Sequence, residues 1–170
     1  MARARALDEF DEFFLRWEPQ VRRYLLWLEG DHAVIDDAAQ ETMLAAHTYW
    51  DYVNQLQKPQ AWLFKVAGQR LQRVQASRQR HGLSTDPGEL PQSEGPDDLG
   101  LRESELVLFE AVRKLPDRQR TAIVLRWQLD LPNDEIAAVM GVSVNTVKTC
   151  LRLGRDTLGT VLSDVSGGER

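Results

Sequence analysis

The 170-residue sequence has one cysteine, Cys150, and no apolar run of the roughly 18 residues that would span a bilayer. A lone cysteine excludes an intramolecular disulfide and a multi-cysteine metal site, and it is typical of a reducing compartment. Residues 1–7 lack the apolar stretch of a signal peptide. We therefore expect a cytoplasmic protein without membrane insertion, in which Cys150 is a small packing residue rather than a redox sensor.

Strand-like alternation of useful length is also missing, whereas apolar residues recur every three or four positions, which predicts an all-α fold. Pro19 interrupts the first such pattern, so we expect two helices joined there. A loop at residues 51–59 should precede a fourth helix. The apolar face of the third helix is predicted to contain Ile35, Ala38, Ala39, Thr42, Ala46 and Tyr49. The tryptophans expected in the core are Trp17, Trp27, Trp50 and Trp127.

Charge is unevenly distributed along the chain, although the net charge of -5 is modest. Residues 29–57 contain six acids and no Lys or Arg, residues 58–81 contain six bases and no acid, and residues 82–101 contain five acids and no base. Alternating blocks of this kind indicate separate surfaces for separate partners, and a basic block is typical of phosphate binding.

The acidic block includes the stretch VIDDAAQETM, residues 34–43, which we interpret as a helix. Helical spacing places Asp37, Gln40, Glu41 and Leu44 together, opposite the apolar face. A metal or acid–base site here would require a second helix with facing ligands, and the first domain has no other suitably spaced acidic helix. We therefore expect no metal, no cofactor and no catalysis. A solvated helix face and a docking surface for a large partner remain as interpretations.

Residues 82–101 combine three prolines, four glycines and five acids with little apolar periodicity, which predicts a flexible acidic linker. The sequence thus predicts two small helical domains, residues 7–81 and 102–163, joined by this linker. A passive tether is the simplest role that composition assigns to it.

The segment NDEIAAVMGVSVNTVKTCLRLGR, residues 133–155, has the spacing of a helix-turn-helix, with Gly141 at the tight turn and Ser143 as N-cap of the second helix. Val144, Val147, Leu151 and Leu158 should face inward. The side chains predicted to face out, or to lie near the far end, are Asn145, Thr146, Lys148, Thr149, Arg152 and Arg155. Polar and basic residues in this pattern suit a DNA major groove, although a three-helix bundle with a basic surface would share it.

The chain resembles bacterial RNA polymerase sigma factors of the sigma-70 family, specifically the extracytoplasmic-function (ECF) group, from Phe10 to Leu162. The matching stretches in the N-terminal half are Gly30-Asp31, residues 36–41 (DDAAQE) and residues 61–67 (AWLFKVA). Those in the C-terminal half are residues 115–120 (LPDRQR), residues 135–137 (EIA) and residues 146–148 (TVK). Their order and spacing carry the resemblance.

The resemblance implies a protein that binds rather than catalyses. Residues 7–81 would be sigma region two, with Asp37, Gln40, Glu41 and Leu44 docking on the clamp helices of the polymerase beta-prime subunit. The loop at residues 51–59 would capture a flipped base of the -10 element during promoter melting. The residues expected to contact this single-stranded DNA are Tyr52, Asn54, Gln55, Trp62, Lys65, Arg70 and Arg73.

Residues 102–163 would correspondingly be region four, which reads the -35 element through residues 145–155 and contacts the beta flap. The acidic linker would thread toward the active-site and RNA-exit channel. The resemblance also implies an anti-sigma factor or other regulator as a partner. The chain departs from the family at Cys150 and Leu153, where arginines are frequent, and at Gly154, where alanine is common. The alternative function is a helix-turn-helix regulator or an inactive sigma-like adaptor that does not direct initiation.

Overall fold

The computed structural model describes residues 1–81 and 102–167, with side chains to residue 163, and the predicted linker at 82–101 lies outside the described residues. The described residues form helices and no strands, which confirms the all-α prediction. The chain divides into two compact units between Ser84 and Thr85. The helices are α1 (Ala2–Leu28), α2 (His32–Thr48), α3 (Trp50–Val53), α4 (Pro59–Arg80), α5 (Glu103–Arg113), α6 (Asp117–Trp127), α7 (Asn133–Met140) and α8 (Val144–Gly167).

The first unit is built from α1, α2 and α4, which pack against one another in all three pairings. Local chemistry fixes where these helices begin. The Asp31 carboxylate accepts from the Ala33 N–H at 2.9 Å and caps α2, and Pro59 occupies the first turn of α4, where its missing N–H costs nothing. Val21, Thr42 and Leu63 are fully buried, one from each helix, so the core lies between the three helices.

The predicted break at Pro19 is wrong, because α1 is one continuous helix of 27 residues that contains this proline. Pro19 has no N–H to donate to the Leu15 carbonyl, but both residues are exposed, so water can take the place of the missing bond. Phe13 and Val21 are buried on the same side of the helix. Burial of this apolar face on both sides of the proline outweighs its local cost.

Aromatic rings form a continuous series through the first unit. The series begins at His47, whose ring lies 4.9 Å from that of Phe10, and Phe10 in turn lies 5.3 Å from Trp50. It continues through Phe13, Trp17, Phe64 and Tyr24, with successive ring centroids 5.1 to 6.5 Å apart. Edge-to-face and tilted pairs at these separations stabilise a core beyond the area that they bury.

The second unit contains α5 to α8, with α8 packed against α5, α6 and α7. Gly141 ends α7 in the left-handed region at φ 66°, and the bend between α7 and α8 is 100°, so these two helices have the predicted helix-turn-helix geometry. Gly154 brings α8 unusually close to α6, because a Cβ at this position would lie 2.8 Å from Cγ1 of Ile123. Cys150 is buried in the same unit.

Within the described part of the chain, no single helix is long and apolar enough to cross a membrane. One bent pair, Asn133–Met140 with Val144–Ser163, meets that test by length and composition alone.

Candidate functional site

The candidate docking residues of α2 (Asp37, Gln40, Glu41 and Leu44) form what we call the α2 surface, and their side chains differ in accessibility. Leu44 is 66% exposed, and Asp37 and Gln40 are also exposed. Glu41 is half-buried, and its Oε2 is shielded from solvent without a hydrogen-bond partner. The structure therefore presents an exposed leucine between polar groups, rather than a uniformly acidic face.

Arginines from neighbouring helices neutralise part of the acidity of α2. Arg22 of α1 pairs with Glu18 and with Asp36, and these hydrogen bonds raise the pKa of Arg22 above its usual value. Arg78 of α4 lies 3.4 Å from Asp37 and 3.8 Å from Asp31. The Arg78 pair with Asp37 joins the basic block to the acidic block across 41 residues of chain, so the sequence analysis gave no indication of it.

An apolar groove between α1 and α2 borders the α2 surface, and the sequence analysis missed it. Phe14 is partly exposed beside Leu44, and the remaining lining residues are Phe10, Glu18, Arg22, Ala39, Gln40, Met43 and His47. The spacing of Phe10 and Phe14, four residues apart on α1, is the sequence signal that would have indicated it. A groove of this kind accepts an apolar helix face.

A second candidate surface combines α3, the residues after it and the exposed face of α4, and we call it the α3–α4 surface. The predicted loop at residues 51–59 is partly wrong, because Trp50–Val53 forms the short helix α3. Tyr52 is 60% exposed, and Gln55 is exposed beside it. Asn54 is exposed, and its Nδ2 donates to Glu9 Oε2 of α1 at 3.2 Å. This hydrogen bond ties the segment after α3 to α1.

Helical register decides which α4 residues share this surface. Trp62, Lys65 and Arg73 occupy one face of α4, where Lys65 and Arg73 are exposed and Trp62 is half-buried. Arg70 is half-buried and lies at the border of that face, five residues after Lys65. The structure thus groups three of the four predicted α4 residues and displaces Arg70.

Tyr49 is a further candidate for the α3–α4 surface that sequence reasoning misplaced. Its predicted position on the buried face of α2 is wrong, because the residue is 57% exposed. It follows the last residue of α2, where the chain departs from helical dihedrals at φ -103° and ψ 24°, so the side chain leaves the helical register. Tyr49 and Tyr52 therefore present two exposed aromatic rings in neighbouring turns.

The first half of α8 forms the third candidate surface, which we call the α8 surface. Asn145, Lys148, Thr149, Arg152 and Arg155 are exposed there. Thr146 is half-buried, and its hydroxyl lies 2.9 Å from Ser143 Oγ. Ser143 Oγ accepts from the Thr146 N–H at 3.1 Å, as expected of an N-cap.

Two predictions for the second unit are wrong. Val144 is exposed rather than inward-facing, whereas Val147, Leu151 and Leu158 are buried as predicted. Trp127 is 52% exposed at the end of α6 and is therefore not a core residue. Among the described residues, no group of three or more His, Cys, Asp or Glu side chains is placed to hold a metal ion.

Comparisons with known proteins agree with the two-unit architecture. Residues 13–81 match the family model "Sigma-70 region 2", and residues 106–158 match "Sigma-70, region 4". The chain is 30% identical to the ECF RNA polymerase sigma factor ShbA of Streptomyces griseus over 130 residues, which cover 71% of this chain and 68% of that protein.

Two further proteins are similar over most of the chain. The ECF RNA polymerase sigma factor SigL of Mycobacterium tuberculosis strain H37Rv is 29% identical over 146 residues, which cover 84% of this chain and 82% of SigL. The sigma factor RpoE of Bartonella quintana, solved in complex with the anti-sigma factor NepR, superposes with a TM-score of 0.75 at 24% identity. The alignment covers 91% of this chain and 97% of RpoE. This last similarity supports the fold.

Proposed function

The chain belongs to the ECF group of the sigma-70 family and acts in transcription initiation, and we propose that it does so through the three surfaces described above. In this proposal the α2 surface binds core RNA polymerase, the α3–α4 surface binds single-stranded DNA of the -10 element, and the α8 surface reads the -35 element. The proposed domains are region two at residues 7–81, an acidic linker at 82–101 and region four at 102–163.

The exposed Leu44 beside an apolar groove is the observation that carries the polymerase assignment. A solvated helix face has no need of a leucine that is 66% exposed, and exposed apolar patches of this kind mark interaction sites. The clamp helices of the beta-prime subunit would place an apolar face against Leu44 and Phe14. Asp37, Gln40 and Glu41 would contact polar or basic residues of those helices at the rim.

The α3–α4 surface has the components that an unpaired strand requires. Tyr52 and Tyr49 offer stacking faces, and base–aromatic stacking contributes about 1–3 kcal/mol per base. Asn54 and Gln55 offer hydrogen bonds to base edges, while Lys65 and Arg73 lie where they would neutralise phosphates. Flipping a promoter base onto these rings would contribute to melting.

The α8 surface is suited to the major groove, because an N-capped helix presents Asn145, Lys148, Thr149 and Arg152 to solvent. Bidentate donors such as Arg152 would read base edges, and Lys148 would contact phosphate. We also propose that region four contacts the beta flap and that the protein acts in the cytoplasm. An anti-sigma factor is a further proposed partner, since the related RpoE was solved with NepR.

Reversal of the charges of the α2 surface tests the polymerase assignment. Asp37→Arg combined with Glu41→Arg should weaken core-polymerase binding at least about tenfold, which corresponds to about 1.4 kcal/mol. The matched control is Asp8→Arg with Glu12→Arg, which changes the same charge at the same spacing on exposed positions of α1. Binding would be measured with purified core polymerase, and helical content by circular dichroism.

Because Glu41 is half-buried, a second variant separates lost binding from lost folding. This variant is Gln40→Arg with Leu44→Arg, at two exposed positions. Undiminished polymerase binding by both variants would reject the assignment.

Transcription in vitro with core polymerase and a genomic promoter library tests initiation as a whole. A complete absence of promoter-specific transcripts would favour the inactive adaptor.

A further inference from the structure

Leu153 is an exposed leucine on α8 to which the proposed reading of the -35 element gives no role. Its side chain is 39% exposed, whereas Val147 and Leu151 of the same helix are buried. A single exposed leucine is ordinary on a protein surface. This one, however, follows Thr149 by one turn and Arg152 directly, so a DNA duplex bound to the α8 surface would cover it.

The outward-facing residues of α8 divide into two sides of different chemistry. The basic side is formed by residues spaced four and three positions apart, which are Lys148, Arg152 and Arg155. The other side contains Thr149 and Leu153, which are four positions apart and carry no charge. A duplex in contact with both sides would therefore meet cations along one edge of the helix and an uncharged surface along the other.

Thr149 has already used its hydroxyl hydrogen within the helix. Its Oγ1 donates to the Asn145 carbonyl at 3.1 Å, so the side chain offers a partner an acceptor oxygen and a methyl group but no donor. It therefore has no hydrogen to give to N7 or O6 of guanine or to O4 of thymine. The methyl group of Thr149 lies on the same side of α8 as Leu153 and adds to its apolar surface.

The base edges of the major groove offer one kind of apolar group, the C5-methyl of thymine. Leu153 has neither donor nor acceptor, so packing it against an amino group or a ring nitrogen would leave that group without a hydrogen bond. A thymine methyl makes no such demand, and its burial against a leucine is favourable. Thymine is thus the base that matches the uncharged side of α8.

We propose that Leu153, together with the methyl group of Thr149, recognises the C5-methyl of one thymine in the -35 element. The inference rests on the proposed reading of DNA by α8 and makes Leu153 a specificity-determining residue. Asp156, three residues after Leu153, is exposed, and backbone phosphates would repel its carboxylate. The thymine should therefore lie on the Thr149 side of Leu153.

Removal of single methyl groups tests the proposal in the complete holoenzyme. The probe is an upstream promoter duplex recovered by transcription of the genomic library with core polymerase and the full chain. Each thymine of its -35 element would be replaced in turn by deoxyuridine, which lacks only the C5-methyl. For the wild-type protein one replacement should weaken binding about three- to fivefold, as expected for one buried methyl group. The same replacement should have no further effect with Leu153→Ala.

Two variants serve as controls and should both remain sensitive to the critical deoxyuridine. Val107→Ala shortens an apolar side chain on α5 that is 37% exposed, which nearly equals the exposure of Leu153. Leu153→Met keeps an apolar side chain at the site itself. In the reverse experiment, cytosine replaces the critical thymine and weakens binding. Methylation of that cytosine at C5 should restore about three- to fivefold of affinity to the wild type and none to Leu153→Ala.

The inference is wrong if no deoxyuridine weakens binding by the wild type, or if Leu153→Ala is as sensitive as the wild type. Lys148→Ala with Arg152→Ala tests the role of α8 separately, because this variant should bind the upstream duplex more weakly whichever base Leu153 contacts. Its undiminished binding would reject the proposed reading by α8 as well. Insensitivity to deoxyuridine combined with weaker core-polymerase binding by Leu153→Ala would assign the leucine to a protein contact instead.

Discussion

Arg78 of α4 forms an ion pair with Asp37 of α2, with 3.4 Å between Nη2 and Oδ2. The same guanidinium lies 3.8 Å from Asp31, so one arginine from the basic block faces two carboxylates of the acidic block. A proposed polymerase-binding residue is therefore already engaged within the chain. A partner that uses Asp37 must compete with Arg78 for it.

Arg78→Ala is expected to strengthen core-polymerase binding, because it releases Asp37 for intermolecular contact. The effect should be about two- to fivefold, since exposed ion pairs are typically worth no more than about 1 kcal/mol. Titration of labelled protein with core polymerase would measure it at low and high salt. Arg80→Ala removes the same charge two residues later and should leave the affinity unchanged. Equal effects of the two substitutions would show that only net charge matters.

Gly154→Ala is expected to destabilise the second unit. The new Cβ would lie 2.8 Å from Ile123 Cγ1 and 3.1 Å from its Cδ1, and overpacking of this kind costs about 1–3 kcal/mol. Replacing a helical glycine gains about 1 kcal/mol, so a net loss of about 1 kcal/mol is expected. Gly159→Ala is the control, because nothing lies within 4 Å of the added carbon and this variant should gain stability. The free energies of unfolding of the two variants would be compared by denaturant titration. Hydrogen exchange of the amides in α6 and α8 would show whether the change lies in the second unit.

Ser143→Ala is expected to loosen the first turn of α8. The substitution removes the acceptor of the Thr146 N–H and costs about 1 kcal/mol. Because Asn145 and Lys148 lie in this turn or the next, affinity for upstream promoter DNA should fall as well. Ser143→Thr keeps the hydroxyl and should preserve both stability and binding. If the Thr146 amide hydrogen exchanges at the wild-type rate in Ser143→Ala, the prediction is wrong.

Tyr24 should make the first unit sensitive to alkaline pH. Complete burial raises the pKa of Tyr24 above its ordinary value of about 10, because desolvation disfavours the phenolate. Below pH 10 the tyrosine is neutral in both states and its contribution to stability is intact. Above that pH the unfolded state releases a proton that the folded state keeps, so stability falls with pH by up to about 1.4 kcal/mol per unit.

Tyr24→Phe provides the comparison for that dependence. The free energy of unfolding would be measured between pH 9 and pH 11, where this variant should lose less stability per pH unit than the wild type. Only the slopes are compared, which cancels any offset that the substitution introduces at neutral pH. Parallel slopes for the two proteins would show that the phenol does not cause the alkaline loss.

Helical periodicity predicted most of the fold, because each long helix has a strongly apolar face. Ile35, Ala38 and Ala46 are buried as their spacing indicates, and Gly141 adopts the left-handed conformation that the helix-turn-helix spacing requires. Ser143 caps α8 as predicted, because its hydroxyl oxygen accepts a hydrogen bond from the Thr146 N–H. These features depend on neighbours within one or two turns, which a sequence displays directly.

The wrong predictions lie mainly at helix ends and at the proline. Tyr49 and Trp127 are apolar and correctly spaced, yet each stands where a helix stops and the buried face no longer continues. Pro19 remains helical because packing on both sides of it outweighs its local preference. Arg78 meets Asp37 across 41 residues of chain, and spacing within a single helix carries no information about such a pair.

The aromatic series of the first unit also bears on how this protein can change over generations. The series begins at His47, at the edge of the groove beside the α2 surface, and passes through Phe64 on the helix that carries the α3–α4 surface. A heritable change in any interior ring would disturb both surfaces together and would be selected against twice. Variants that change the preference for one partner alone should therefore arise at solvent-facing positions. Screens for complete loss of activity should instead find substitutions of the aromatic residues in the series.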